Sequence, residues 1–155
     1  MSGITVVSHS AEETRGVGAA LGALLRAGDV VLLAGGLGAG KTELTKGIGA
    51  ALAVDDVVVS PTFTLARRYP GRVPLLHVDL YRLERVQELL DLGLEEEGDD
   101  AVTVIEWGDR LRGILPIDRL EIAFAFGDGE DDRTLDLDAG GPGWAARLAQ
   151  LEASC

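Results

Sequence analysis

Apolar residues along the chain recur in two patterns: short continuous or alternating runs, and longer stretches with helical spacing. The short runs predict strands. The run VVLLA after Asp29 is apolar enough to be buried on both faces of a sheet. Two further extended segments flank a Pro-Gly turn and predict a hairpin. The predicted strands are residues 4–8, 30–34, the two arms of the hairpin within 57–83, 101–106, 120–126 and 133–139.

The stretches with helical spacing predict four helices. The first begins at a capping box formed by Ser10 and Glu13, and Gly28 is expected to end it. The other three are residues 41–53 with Leu44, Ile48, Ala51 and Leu52 on one side, residues 84–92, and a short C-terminal helix that contains Trp144.

This order of elements mixes strand–helix units with hairpins. It predicts a three-layer α/β domain with a mixed sheet that is parallel in its centre. A chain of 155 residues suits one hydrophobic core, so residues 1–155 are expected to form a single domain.

Composition and charge narrow the classes of function. Apolar residues make up 46% and charged residues 26%, and the formal net charge is −12. A nucleic-acid binder usually carries a basic surface, so direct binding to RNA or DNA is not expected. The only cysteine, Cys155, cannot form an intrachain disulfide. No basic and apolar leader and no apolar run of about 20 residues is present, so we expect a cytoplasmic protein without a membrane segment.

The sequence GGLGAGKT from Gly35 matches the phosphate-binding pattern GxxxxGK[ST] and predicts a P-loop. Gly35, Gly38 and Gly40 allow the backbone to turn tightly around a phosphate. The amides of residues 38–42 are expected to point at that phosphate, at the positive end of the next helix. Lys41 is expected to neutralise the β- and γ-phosphates, and the Thr42 hydroxyl is expected to bind Mg²⁺.

Two carboxylates close predicted buried strands, Asp79 after PLLHV and Glu106 after AVTVI. An acid in such a place is costly to bury unless it meets a cation. Each is therefore a candidate partner of Mg²⁺ or of the attacking water. The same positions also suit ordinary solvated strand ends.

The complete absence of Asn excludes two classes of nucleotide enzyme. Ras-like GTPases read guanine with an Asn-containing loop, and protein kinases hold a second Mg²⁺ with an Asn. A small-molecule or nucleoside kinase and a non-hydrolysing nucleotide-binding regulatory module both stay open. A kinase would need an arginine-rich lid. The arginines available for it, which equally suit a solvated face, are Arg67, Arg68, Arg72, Arg82 and Arg85.

Four blocks together resemble one family. They are GGLGAGKT, SPTFTL at residues 60–65, HVDLYRL at residues 77–83 and IEW at residues 105–107. In order and spacing they are similar to the TsaE (YjeE) family of P-loop ATPases in bacterial tRNA threonylcarbamoyladenosine (t6A) biosynthesis. The resemblance covers essentially the whole chain. It implies a P-loop NTPase-type domain that hydrolyses ATP to ADP and phosphate with Mg²⁺.

The resemblance also implies roles for particular residues. Asp79 would lie beside the γ-phosphate, Thr42 and Glu106 would bind Mg²⁺, and Thr62 would act in a switch segment over residues 60–65. The division of roles between Asp79 and Glu106 stays open. The implied catalytic residues are Lys41, Asp79, Glu106 and Thr62, and the implied nucleotide-binding residues are Gly38, Ala39, Gly40, Lys41, Thr42, Glu43, Ala11 and Arg133.

Several of these positions have a structural alternative. Residues 9–14, which include Ala11, would lie near adenine, but helix capping explains Ser10 and Glu13 equally well. Thr62 also suits a turn after proline. Arg133 also suits a solvated strand edge, and Trp107 suits either core packing or a wall of the site. Gly36 replaces an acid found in many relatives, and little effect on catalysis is expected.

The partner that the resemblance implies is the TsaD–TsaB heterodimer, which modifies adenosine 37 of tRNAs that read codons beginning with A. No arginine finger is evident in the chain, so slow hydrolysis by the isolated protein is expected. The acidic protein would dock on this partner and meet tRNA only through it. The acidic residues 128–132 are either a contact to the partner or a solvated loop.

Overall fold

The computed structural model describes residues 3–35, 40–55, 58, 66–80, 98–107 and 118–154. Several predictions concern positions outside these ranges. They are Gly36, Gly38, Ala39, Thr62 with the rest of residues 60–65, Arg82, Arg85, the helix over 84–92 and Cys155. Among the described residues, no helix has the length and hydropathy needed to cross a membrane.

Seven strands and three helices make up the described fold. The strands agree closely with the predicted runs. They are β1 Gly3–Ser8, β2 Val30–Ala34, β3 Ala66–Tyr69, β4 Leu75–Asp79, β5 Val102–Glu106, β6 Leu120–Phe126 and β7 Arg133–Ala139. The helices are α1 Ala11–Gly22, α2 Lys41–Ala51 and α3 Pro142–Ser154.

All seven strands form one sheet in the order β1-β7-β6-β2-β5-β4-β3. The four central strands, β6, β2, β5 and β4, run parallel to one another. Antiparallel pairs flank them, β3 with β4 on one side and β6 with β7 and β1 on the other. The predicted mixed α/β sheet with a parallel centre is therefore confirmed, and so is the hairpin of β3 and β4.

Both faces of the central sheet are buried. The larger core lies on the face that carries α1, α2 and α3, and includes Val31 and Leu33 of β2. Leu32 points to the other face, where it packs with Val78 and Ile105. Because side chains alternate along a strand, the continuous apolar runs of β2, β4 and β5 supply both cores.

Helix α1 is shorter than its pattern predicts. Its start is as expected, because the Ser10 side chain caps the helix by accepting a hydrogen bond from the Glu13 N–H at 3.0 Å. Its end is not at Gly28, because Leu24 and Leu25 donate to the carbonyls of Leu21 and Gly22 and tighten the chain into a turn. Gly28 instead lies in the loop before β2. It has a φ of +91°, and its N–H donates to the Ala101 carbonyl at 2.8 Å.

Helices α1 and α2 touch backbone to backbone at their glycines. A Cβ atom added at Gly18 would lie 2.2 Å from the Leu44 carbonyl oxygen. One added at Gly47 would lie 2.0 Å from the Arg15 carbonyl oxygen. No side chain fits at either position, so the two helices are locked at this separation.

Helix α3 is fastened to the loop between α1 and β2 by a largely buried ion pair. The Arg147 guanidinium donates to both carboxylate oxygens of Asp29, and it also donates to the Leu24 carbonyl at 3.2 Å. The same guanidinium lies 3.9 Å from the ring centroid of the fully buried Trp144. The predicted C-terminal helix therefore completes the larger core.

Candidate functional site

The carboxyl ends of the parallel strands meet beside Gly35 and Lys41. Leu33 of β2 pairs with Glu106 of β5, and Glu106 pairs with Asp79 of β4. Asp79 and Glu106 close their strands on the face that carries α2, as the alternation from Leu75 and Val102 requires. The two acids that the sequence singled out are therefore neighbours at one edge of the sheet. This edge is where ligands of open α/β sheets bind.

Lys41, the first residue of α2, lies at the centre of this edge with only 5% of its surface exposed. Its ammonium group donates to the Gly35 carbonyl at 3.0 Å and lies 4.0 Å from Oε1 of Glu106. It also lies 3.8 Å from the ring centroid of Trp107. Burial lowers the pKa of Lys41, and the negative charges of Glu106 and Asp79 oppose that shift. The result is a cation held in place by its surroundings.

Trp107 contributes to the site as well as to packing. It packs against the smaller core, and its ring faces the Lys41 ammonium. Its φ of +61° lies in the left-handed region, which is unusual for a bulky residue. The packing expected from sequence is therefore observed, and the contact with Lys41 agrees with the other expectation, a wall of the candidate site.

Glu106 is 3% exposed and has a second partner besides Lys41. Nε2 of His77, which is fully buried, lies 2.5 Å from Oε2 of Glu106. Sequence reasoning missed this residue, although HVD at the end of β4 placed it two positions before Asp79. The contact joins two strands that are far apart in sequence, so no local pattern predicts it.

The first turn of α2 is built to expose backbone amides. Gly40 precedes it with a φ of +104°, and Gly35 has a φ of +148°, which are conformations that glycine adopts readily. The N–H groups at such a helix start have no acceptor within the helix and attract anions. The Glu43 carboxylate forms ion pairs with Arg15 at 3.0 Å and Lys46 at 3.3 Å. Glu43 would therefore bind a nucleotide through its backbone N–H rather than through its side chain.

The donors at this edge fit Mg²⁺ better than they fit a softer metal. Thr42 supplies a hydroxyl, and Asp79 and Glu106 supply carboxylates, which are the hard oxygen donors that Mg²⁺ prefers. Within the described ranges, no group of three or more His, Cys, Asp or Glu side chains is arranged to hold a metal by itself. A magnesium ion here would need further oxygens from water and from a bound phosphate, as is usual for this ion.

The start of α1, which is expected to lie near the adenine base, is close to Gly40. A Cβ atom added there would lie 3.6 Å from the Thr14 methyl group and 3.7 Å from the Phe124 ring, so α1 and β6 both lie beside Gly40. Ala11 is the exposed first residue of α1. Arg133 pairs in register with Ser8, next to the start of α1. Ala11 and Arg133, about 120 residues apart in sequence, thus lie in one part of the fold.

Arg133 is held by its own hairpin. Its guanidinium donates to the carbonyls of Glu130 and Asp132 and lies 4.6 Å from the Phe126 ring centroid. Phe126 is 59% exposed. The guanidinium and the ring together form a polar and aromatic surface beside the start of α1.

The acidic turn between β6 and β7 contacts the loop before α1 through one ion pair. Nδ1 of His9 lies 2.9 Å from Oδ1 of Asp132. The hydrogen bond and the charge of Asp132 raise the pKa of His9, and the same pair lowers the pKa of Asp132. The pair makes its full contribution to the stability of the folded state at pH values between the ordinary pKa values of the two groups, 3.8 for Asp and 6.5 for His. Its contribution fades as pH rises through the raised pKa of His9.

We therefore expect His9→Gln to lower the Tm slightly, by no more than about 3 °C, near pH 5.5. Glutamine cannot carry the imidazolium charge, so the difference from the natural protein is expected to disappear near pH 9, at which His9 is neutral in both states. Thermal unfolding of both proteins at the two pH values checks this. A Tm difference that grows as pH rises would contradict the assignment.

The described arginines of the proposed kinase lid have partners within the fold. Arg68 donates to both carboxylate oxygens of Asp100 at 2.9 Å, and Arg72 donates to the Ala51 carbonyl at 3.3 Å. Arg67 lies 5.1 Å from the Tyr69 ring centroid. All three lie on or next to β3, a strand at the edge of the sheet. This arrangement favours a structural role for them over a lid.

Comparison with known proteins identifies the family. The sequence profile described as "Threonylcarbamoyl adenosine biosynthesis protein TsaE" matches residues 8–135, which include both strand-end acids and the whole of α1 and α2. The chain belongs to the TsaE family. The resemblance carried by the four sequence blocks is thereby confirmed.

Individual TsaE relatives agree with this assignment. The "tRNA threonylcarbamoyladenosine biosynthesis protein TsaE" of Streptomyces coelicolor is 45% identical over 138 residues, which cover 84% of this chain and 93% of the relative. The protein of the same name from Bacillus subtilis is 40% identical over 132 residues, 84% of this chain and 82% of the relative. A crystal structure of Bacillus subtilis YdiB superimposes with a TM-score of 0.83 at 30% identity, covering 99% of this chain and 96% of that one.

Proposed function

We propose that this chain is a Mg²⁺-dependent ATPase that supports threonylcarbamoyl modification of tRNA. The observation that carries the proposal is the buried Lys41, whose ammonium lies between the Gly35 carbonyl and Glu106 at the end of a neighbouring parallel strand. A buried ammonium beside free helix amides is suited to a polyphosphate. A carboxylate 4.0 Å away is suited to the metal that accompanies it.

Each residue of the site has a distinct part in the proposed reaction, ATP + H₂O → ADP + phosphate. Lys41 offsets the negative charge of the β- and γ-phosphates, and the N–H groups of Gly40, Thr42 and Glu43 bind their oxygens. The Thr42 hydroxyl and Glu106 would hold Mg²⁺, which supplies charge neutralisation when bound. Catalysis then rests on positioning and electrostatic stabilisation rather than on a covalent intermediate.

The structure favours a division of roles between the two acids. Glu106 is nearly inaccessible and tied to His77, so it suits a fixed metal ligand. Asp79 is partly exposed at the end of β4, so it suits a group that orients the attacking water. Thr62 would complete the site as part of a switch segment, in keeping with the family resemblance. Ala11 and Arg133 would lie at the adenine end.

Membership of the TsaE family supports the place of this ATPase in t6A biosynthesis. Relatives that carry this role in their names cover most of the chain. We propose that the protein acts with the TsaD–TsaB heterodimer and meets tRNA only through it. A net charge of −12 agrees with docking on a protein partner with a basic surface rather than on RNA directly.

The test is phosphate release from ATP by the purified chain, with and without the TsaD–TsaB pair of the same organism. We expect slow hydrolysis alone and a several-fold increase with the pair, because the partner would order the site. Omitting Mg²⁺ should abolish both rates. A rate indifferent to the pair would remove the partner assignment. Phosphate transfer to an added small-molecule acceptor would instead identify a kinase, and ATP binding without turnover would identify a regulatory module.

A further inference from the structure

Two buried polar side chains, His77 of β4 and Glu106 of β5, contact each other near the carboxyl ends of their strands. His77 pairs in register with Val104, so Glu106 lies one step further along the same face. Both side chains are enclosed, with 0% and 3% of their surfaces exposed. Their contact, 2.5 Å from Nε2 to Oε2, is a short hydrogen bond.

The chemistry of the two groups sets the direction of this hydrogen bond. A carboxylate only accepts, so Nε2 of His77 carries the hydrogen and donates to Oε2. The other ring nitrogen, Nδ1, is buried and has no hydrogen-bond partner among the residues that the structure describes. In the described part of the chain, Glu106 is therefore the one group with which the His77 imidazole forms a hydrogen bond.

An imidazole at this position is not explained by packing. The neighbouring side chains on this face, Leu75 and Val104, belong to the larger hydrophobic core. A leucine would fill such a place without the cost of burying an unpaired nitrogen atom. The feature that requires a nitrogen donor here is the carboxylate of Glu106.

The consequence for Glu106 is that its two oxygens are no longer equivalent. Oε2 is occupied by His77, whereas Oε1 faces the site, 4.0 Å from the Lys41 ammonium. We propose that His77 is a positioning residue that fixes the Glu106 carboxylate, so that Oε1 alone serves the nucleotide-bound Mg²⁺. This inference rests on the proposed function, since it assigns a task toward the metal of that same site. Hydrogen bonds to metal-binding side chains commonly hold them in place in this way.

The experiment compares His77→Leu and His77→Gln with the natural protein. Leucine has a similar size but no donor, whereas the glutamine amide can place an N–H near the position of Nε2. The measurement is the dissociation constant of ATP with Mg²⁺ and with EDTA instead, together with the Tm of each protein without nucleotide. In the natural protein, Mg²⁺ is expected to lower the dissociation constant of ATP relative to its value in EDTA. In His77→Leu we expect this Mg²⁺ effect to be smaller by a factor of at least about 10, while the dissociation constant in EDTA is unchanged. His77→Gln should retain most of the Mg²⁺ effect.

His77→Asn covers the case in which the leucine variant does not fold. Its shorter amide stays polar but cannot reach Oε2, so it should lose the Mg²⁺ effect as leucine does. An unchanged Mg²⁺ effect in a folded Leu or Asn variant would overturn the proposal. Equal weakening of binding with and without Mg²⁺ would also overturn it, because that is the result of a purely structural role. If the natural protein itself binds ATP no more tightly with Mg²⁺, the proposed function fails.

Discussion

Replacing Lys41 with methionine is expected to lower the rate of the proposed ATP hydrolysis by roughly 100- to 1,000-fold. Methionine keeps an unbranched apolar stem, so the packing of the first turn of α2 changes little. The substitution removes the single cation that lies within 4.0 Å of Glu106 in the described structure. Without it, the charge that develops on the phosphate oxygens in the transition state has no ammonium to offset it. Phosphate release under saturating ATP and Mg²⁺ measures the loss.

The chain offers a matched control, because its only other lysine, Lys46, lies on the same helix. Lys46 pairs with Glu43 at 3.3 Å and is partly exposed. Lys46→Met therefore changes the net charge by the same amount, away from the site edge, and hydrolysis should stay within about twofold of the natural rate. Equal losses in the two variants would show that net charge, and not the position of Lys41, determines the rate. An active Lys41→Met protein would contradict the site assignment.

The second large effect is expected from Gly47→Ala, which should destabilise the protein by about 3 kcal/mol or more. The added Cβ atom would lie 2.0 Å from the Arg15 carbonyl oxygen and 2.9 Å from the Ala19 nitrogen. Both are backbone atoms of α1, so no side-chain rotation relieves the overlap. The two helices must separate, which also disturbs α2, the helix that carries Lys41. Denaturant unfolding measures the free-energy change.

Gly16→Ala is the control for this prediction, since it makes the same change within α1. A Cβ atom at Gly16 would have no neighbouring atom within 4 Å. Alanine is favoured over glycine in a helix interior, so this variant should be stabilised by about 0.5–1 kcal/mol. The two substitutions thus have opposite expected signs. A Gly47→Ala protein as stable as the natural one would show that the helices do not touch as described.

Most of the secondary structure of this protein and the central residues of its candidate site could be predicted from local sequence patterns. The continuous apolar run of β2 and the GKT motif after it can each be recognised from consecutive residues. All strands of the described sheet coincide with predicted runs. Asp79 and Glu106 could be singled out because each is an acid closing an apolar run. A few consecutive residues determine these features, so no knowledge of the remaining chain is needed.

The end of α1 shows where local patterns stop being sufficient. Helical spacing continues to Gly28, yet the helix ends at Gly22. The N–H of Gly28 bonds to Ala101, and the carboxylate of Asp29, next to it, bonds to Arg147. Both partners come from distant parts of the chain. Their bonds to the α1–β2 loop outweigh the weak preference of a few more residues for the helix.

Only the tertiary structure decided which distant side chains meet in and around the candidate site. His77 meets Glu106 across two strands, Trp107 faces Lys41, and His9 reaches Asp132 more than 120 residues away. Strand order sets these contacts, and strand order follows from the packing of both faces of the sheet. The sequence alone therefore determined most of the elements, the family and the glycine-rich motif of the candidate site. The orientation of the Glu106 carboxylate depended on long-range pairing, because hydrogen bonds and burial act between neighbours in space rather than along the chain.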